Sequence, residues 1–328
     1  MYHPALYTPL TDLLGCKYPI LCAGMGGVAR HKLAAAVSNA GGFACLGMVR
    51  EQPEFIREEV HRYRSLSKKH FAVNLIPAAT PAELLDRQIT ECISLGVRYL
   101  AFFWDVDKDI VRRCIDNGIT VMHQVGSKKD AELALEAGAS VLIAQGVEAG
   151  GHVRGDTSLF GLLPEISALS PVPVVASGGI TTGQGLVAAL ALGAQGVSCG
   201  TLFLATEESN AHDFHKEKII RAKAADTLLC YDFHRNWPVK AAVRVLKNAI
   251  TENPYHDYKH FPDRAIGEQD GAAIYPFSTD SPLKGATGDL ASMALYAGQG
   301  CANVRKIKSA ATVIDDFMRQ ANQYLDRL

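Results

Sequence analysis

Short runs of apolar and β-branched residues recur along the chain, each followed by a stretch in which apolar positions return every three to four residues. The runs at 19–22, 43–46, 71–75, 99–103, 120–123, 140–144, 172–176 and 196–199 read as strands, because four or five consecutive apolar residues suit a strand covered on both faces. The stretches 32–39, 54–66, 82–95, 108–116, 129–136, 159–169 and 185–192 read as helices. Strands that alternate with helices pair in parallel, since each crossover returns the chain to the same end of the sheet. Eight such units predict an α/β fold, a TIM-type (β/α)8 barrel. Glycines close several helices just before the next strand, at Gly41, Gly96, Gly118, Gly138 and Gly193. They predict left-handed C-caps on the floor of the barrel, away from the chemistry.

The period breaks after about residue 206. Residues 212–226 and 239–250 read as helices, whereas 251–288 is rich in Pro, Asp, Tyr, His and Gly and keeps no period. The expected organisation is a barrel over 1–215, an inserted smaller helical and loop subdomain over the barrel mouth at 216–295, and a return segment over 296–328. The last of these carries a C-terminal helix at 304–328 that packs on the barrel.

Composition narrows the class. The 328 residues are 48% hydrophobic and 20% charged, enough for a large core. A net charge of −1 gives no basic surface for nucleic acid or an acidic membrane. The eight cysteines are scattered without a CxxC pair, several inside apolar runs, as expected of reduced, buried thiols in a cytoplasmic protein. Residues 1–15 do not read as a signal peptide. No Asp, Glu, Lys or Arg occurs from 166 to 206, but Pro171, Pro173 and repeated glycines break that stretch, so it predicts buried barrel elements and not a membrane span.

The loop after the sixth strand is the most unusual: Gln145-Gly146-Val147-Glu148-Ala149-Gly150-Gly151-His152-Val153-Arg154-Gly155. Glycines flanking a histidine let backbone approach a flat ligand and aim an imidazole over it, a suitable base for an acidic carbon. Glu148 either orients His152 or serves only as a cap or a solvent-facing charge. The seventh and eighth strands lead into Ser177-Gly178-Gly179 and Gly200-Thr201, bare amides and short hydroxyls at the usual phosphate position of this fold. Ala23-Gly24-Met25 follows the first strand. Gly24-Met25-Gly26-Gly27-Val28-Ala29 also satisfies a dinucleotide pattern, a reading set aside because the strand count runs on to eight. The amides of Asn74, Gln124 and Gln145 stand at strand ends, where they could reach a ring edge or a ribityl chain. Tyr296 to Gly300 either lines the pocket or makes a turn. Phe233 and Trp237 are expected in an ordinary subdomain core, with a pocket role for His234, Arg235 and Trp237 the lesser reading. His212 and His215 stand three apart without an acidic or thiol partner, and no catalytic metal is predicted.

In their order, Ala23-Gly24-Met25, Phe71-Ala72-Val73-Asn74-Leu75, Gln145 to His152, Ala176-Ser177-Gly178-Gly179-Ile180 and Gly200 to Thr206 resemble the nitronate monooxygenase family, once called 2-nitropropane dioxygenases. The resemblance spans about 19–206, resumes at 296–300, and implies one non-covalent FMN. Its phosphate would sit on Gly178, Gly179, Gly200 and Thr201, and its ring against Gly24, Met25 and Asn74, with Gln124 and Gln145 nearby. Ala23, Gly150, Gly151 and Ser177 complete the expected cofactor site, and His152 faces the reactive edge. The implied reactants are a small nitronate or nitroalkane and O2, with carbonyl compound and nitrite as products, in a monomer or homodimer. Two relatives share these loops: flavin-dependent enoyl-acyl-carrier-protein reductases, which typically carry Ser where this chain has Ala149, and NADH:quinone reductases. A likeness to IMP dehydrogenase is weaker, since the loop after the sixth strand holds no cysteine nucleophile. A phosphate-binding barrel without redox chemistry would leave His152 unexplained.

Overall fold

The computed structural model describes residues 2–237, 241–253 and 264–327. Eight parallel strands close into a barrel: β1 (Ile20–Cys22), β2 (Phe43–Gly47), β3 (Phe71–Leu75), β4 (Tyr99–Phe103), β5 (Thr120–Val125), β6 (Val141–Gln145), β8 (Val174–Ser177) and β9 (Gly196–Cys199). β9 returns to β1 with Leu21 opposite Ser198, which completes the ring. The label β7 belongs to a two-residue strand, Gly151–His152, that leaves the barrel. The apolar runs work as expected because both faces are covered. One set, including Leu21, Phe43, Ala72, Tyr99, Met122, Ile143 and Val175, fills the interior. Another, including Ile20, Leu46, Val73, Leu100, Val121 and Leu142, meets the helices outside.

The first helix, α1 (Pro9–Leu14), plugs the floor, where Leu10 and Leu14 join the interior cluster. The outer ring is α2 (His31–Asn39), α3 (Pro53–Leu66), α4 (Ala82–Ser94), α5 (Lys108–Asp116), α6 (Lys128–Ala137), α7 (Leu159–Leu169) and α8 (Gly183–Ala191). Each of the five floor glycines named from the sequence has positive φ, as at Gly138 (99°) after α6, where the residue is the left-handed C-cap. A short α9 (Thr201–Leu204) follows β9. Much later α11 (Ala310–Leu325) packs back on α8 and α2.

The segment after the barrel departs from the expected helical cap. Residues 213–226 form α10 (Asp213–Arg221) and a 3-10 turn, but the helix expected over 239–250 is instead a strand, β11 (Val243–Leu246). It pairs antiparallel with β10 (Thr227–Cys230) on one side and with β7 on the other. The correction has a local reason. In Val243-Arg244-Val245, two β-branched side chains pack on Phe233, Phe277 and Ala294, while Arg244 between them donates to the Val147 carbonyl. A second small sheet joins β12 (Gly267–Gln269), β13 (Ala272–Ile274) and β14 (Thr287–Gly288). Residues 239–240 of the expected helix and 254–263 of the aperiodic stretch lie outside the described residues.

Candidate active site

Every residue that the sequence singled out for cofactor or catalysis lines one cavity of about 800 Å³ at the C-terminal ends of the strands. The loop from β6 is built first by its own backbone needs. Gln145 spends its side chain on that loop, donating from Nε2 to the His152 carbonyl at 2.8 Å and accepting the Arg154 N–H at 3.1 Å. Gln145 therefore positions the histidine and does not offer its whole amide to a ligand. Glu148 accepts the N–H of Leu159, the first residue of α7, through both oxygens, so the capping alternative holds. Gly150 is required by close approach: a Cβ there would stand 2.4 Å from the Gly298 nitrogen.

Beyond Gly150 the chain enters β7, and pairing with β11 fixes the backbone of His152 opposite Val243. The imidazole stacks on Trp237, with ring centres 3.7 Å apart and planes 19° from parallel, and meets the edge of Trp104 at 6.2 Å. Its Nε2 is buried and has no hydrogen-bond partner. Burial, aided by the charge of Arg50, pushes its pKa down to about 3, so the ring is neutral across the physiological range. A neutral imidazole with a vacant nitrogen can accept a proton or a hydrogen bond from a ligand, although as a weak base.

The other side of the cavity is backbone. Gly178 and Gly179 hold φ of 112° and 69°, conformations that exclude most side chains. Among the described residues no backbone acceptor takes the N–H of Gly178, Gly179 or Gly200. A Cβ on Gly200 would touch only Met25 Sδ at 3.7 Å and Ala23 Cβ at 3.9 Å, so the space before it is open. Thr201 Oγ1 accepts the Gly298 N–H at 2.9 Å, and Thr181 donates to the Gly300 carbonyl at 2.9 Å. The segment 296–300 is thereby stapled between the last two loops and forms pocket wall as well as turn. Asn74 donates to the Ala101 carbonyl and presses so closely on Gly24 that a Cβ there would come within 2.3 Å of it.

Trp237 enters the cavity wall by the lesser of its two readings, and Arg50, on the same wall, and Trp104, packed on His152 behind it, were assigned no role. Trp237 is buried as expected, yet it belongs to the cavity and to His152, not to the Phe233 core of the subdomain. Trp104 and Arg50, after β4 and β2, hold φ of 86° and 61°. Their signal in the sequence is only position, directly beyond a strand end. The pair His212 and His215 is structural: His212 caps α10, and the buried His215 bonds the Tyr296 carbonyl. Among the described residues no group of three or more His, Cys, Asp or Glu is placed to hold a metal, and no helix is long and apolar enough to cross a membrane.

A closed parallel barrel with a cavity at the C-terminal ends of its strands places this chain in the TIM-barrel class, and comparison with known proteins shows which oxidoreductase family of that class it joins. The nitronate monooxygenase family model matches residues 7–320, so the chain belongs to that family. A probable nitronate monooxygenase of Staphylococcus saprophyticus is 29% identical, with 98% of this chain and 99% of that protein covered. A 5-hydroxy-7a-methyl-1-oxo-octahydro-1H-indene-4-carboxyl-CoA dehydrogenase of Rhodococcus jostii is 35% identical over 222 residues, 68% of this chain, and the match spans 62% of that relative's length. Among solved structures, FabK from Thermotoga maritima superposes with a TM-score of 0.84 at 30% identity, covering 98% of both chains. Nitroalkane oxidase from Streptomyces ansochromogenes gives 0.80 at 28%, covering 97% of this chain and 99% of its own.

Proposed function

We propose that this oxidoreductase holds one FMN and oxidises alkyl nitronates, or nitroalkanes after loss of the α-proton, with O2 to a carbonyl compound and nitrite. The observation that carries the reading is a single cavity that joins open glycine amides on one side to a neutral, partnerless imidazole on the other. The residues fit the cofactor. Gly178, Gly179, Gly200 and Thr201 would hold its phosphate through backbone amides, helped at Gly200 by space that any side chain would fill. Gly24, Met25 and Asn74 would back the ring, with Gln124 beside it, and Ala23, Ser177, Gly150 and Gly151 would complete the wall. Bound there, FMN supplies two-electron acceptance from substrate and delivery to O2.

The chain's own part is proton placement and exclusion of water. The His152 imidazole takes the α-proton of a neutral nitroalkane, and the protonated ring then donates a hydrogen bond to a nitro oxygen of the nitronate so formed. Because its pKa is depressed to about 3, the already ionised nitronate is the better substrate. Trp104 and Trp237 keep water from the ring, and Gln145 and β11 hold its backbone still.

The likeness to FabK supports a second reading, an NAD(P)H-dependent FMN reductase acting on quinones or enoyl thioesters. The test is oxygen uptake by the FMN-loaded protein with propionate 3-nitronate and alkyl nitronates, beside anaerobic mixing with NADH and NADPH. Rapid bleaching by a pyridine nucleotide, with none by nitronate, selects the second reading and ends the first.

A further inference from the structure

Arg50 follows β2 in a left-handed conformation, φ 61°, which an arginine adopts only when its surroundings hold it there. What holds it is a bridge from barrel to cap. Nη1 donates to the Asn236 carbonyl at 2.6 Å, and Nη2 reaches the Thr279 hydroxyl at 3.4 Å. The acid closest in this network, Asp280, is occupied elsewhere: its Oδ2 accepts from Asn236 Nδ2 and from the Ser278 hydroxyl. Among the described residues no carboxylate pairs with Arg50. A half-buried guanidinium thus lines the cavity without a counter-ion, and its charge is felt on two other walls, at His152 and at Tyr296. Next to Asn236, Trp237 is 8% exposed and its indole N–H is buried without an acceptor.

We propose that Arg50 is the anion-binding residue of this site, its guanidinium gripping the planar oxyanion of the substrate. The assignment rests on the nitronate-oxidising reading and deepens it to a substrate class: small, flat anions. The two oxygens of a nitronate are spaced like those of a carboxylate, which the guanidinium fork meets with two parallel hydrogen bonds. Binding supplies the charge that Arg50 lacks. Arg50, Asn236 and Trp237 also wall an adjoining surface pocket, so the guanidinium stands where that pocket meets the cavity.

The test uses FMN-loaded protein and two redox-inert probes, propionate and its neutral isostere propionamide, titrated by calorimetry. Wild type is expected to prefer propionate, and Arg50→Met to lose about 10²-fold of propionate affinity while propionamide binding stays level. Arg50→Lys, which keeps the charge without the fork, is expected to lose about tenfold, and serves as the reading if Arg50→Met fails to fold. In turnover with propionate 3-nitronate, both variants should raise KM far more than they lower kcat, and free guanidinium should restore part of the Arg50→Met loss. Unchanged propionate preference in a folded variant overturns the assignment. So does a loss of FMN, seen by absorbance, in both variants with anion discrimination intact, because the guanidinium would then serve the cofactor. Propionate binding that depends on Arg50 in a protein inert toward nitronates would refute the proposed function and leave the anion site standing.

Discussion

Gly200→Ala separates the needs of the fold from those of the cofactor. The residue has φ −95° and ψ −69°, which alanine adopts freely. The added methyl would meet Met25 Sδ at 3.7 Å and Ala23 Cβ at 3.9 Å, ordinary contact distances. The protein stripped of cofactor should therefore unfold within about 0.5 kcal/mol of wild type, or slightly later because alanine narrows the unfolded ensemble. If the open space holds a phosphate, the same methyl keeps that dianion from the amide behind it. One charge-assisted hydrogen bond is worth about 1.5–3 kcal/mol, so the Kd for FMN should rise roughly 10- to 100-fold. Quenching of flavin fluorescence measures the FMN affinity, and a parallel titration with riboflavin, which has the ring and ribityl chain but no phosphate, provides the control. Wild-type FMN affinity in a folded Gly200→Ala protein refutes the phosphate cradle, and an equal loss for riboflavin moves Gly200 to the ring.

Three further outcomes follow from the geometry. Gly150→Ala should cost about 2–3 kcal/mol in chemical denaturation, because the methyl meets the Gly298 backbone at 2.4 Å and neither segment can give way; a neutral result would mean that 296–300 is not seated on this loop. His152→Ala should keep FMN and lose roughly 10²–10⁴-fold in turnover of a neutral nitroalkane, with a smaller loss on the preformed nitronate. Equal losses on both would assign the histidine to binding and not to proton transfer. Acid should weaken the fold through His215, whose pKa burial lowers to about 4. The unfolded chain takes up that proton below about pH 6.5 and the folded one does not, so stability falls as pH drops from about 6.5 to 4, by up to ~3 kcal/mol. His152, whose pKa burial lowers to about 3, adds to the same slope, so His215→Leu should reduce it in urea midpoints and leave the His152 part in place.

The barrel was legible because its strands are apolar on both faces and its helices end in glycine, two signals that tertiary context does not reverse. The phosphate-like loops were legible for a related reason: Gly178-Gly179 and Gly200-Thr201 follow consecutive barrel strands, and spacing alone brings them together. The cap was not. Ala241-Ala242-Val243-Arg244-Val245-Leu246 satisfies a helical period and a strand period about equally, and what decides is the edge offered by Gly151–His152, a neighbour distant in sequence. Trp237 was hidden for the same reason, since a buried tryptophan looks alike in sequence whether it packs on Phe233 or on His152. Arg50 shows a third limit. Nothing in Met48-Val49-Arg50-Glu51 announces a left-handed arginine, and the contacts that hold it come from Asn236 and Thr279.

The pairing of β7 with β11 ties His152 to a segment far later in the chain. All eight parallel strands of the barrel precede Val243, so the ring is complete in sequence before the segment that gives Gly151–His152 its partner. The same tether makes β11 a point of divergence, since a shift in its register would move the His152 imidazole relative to unchanged loops after β8 and β9.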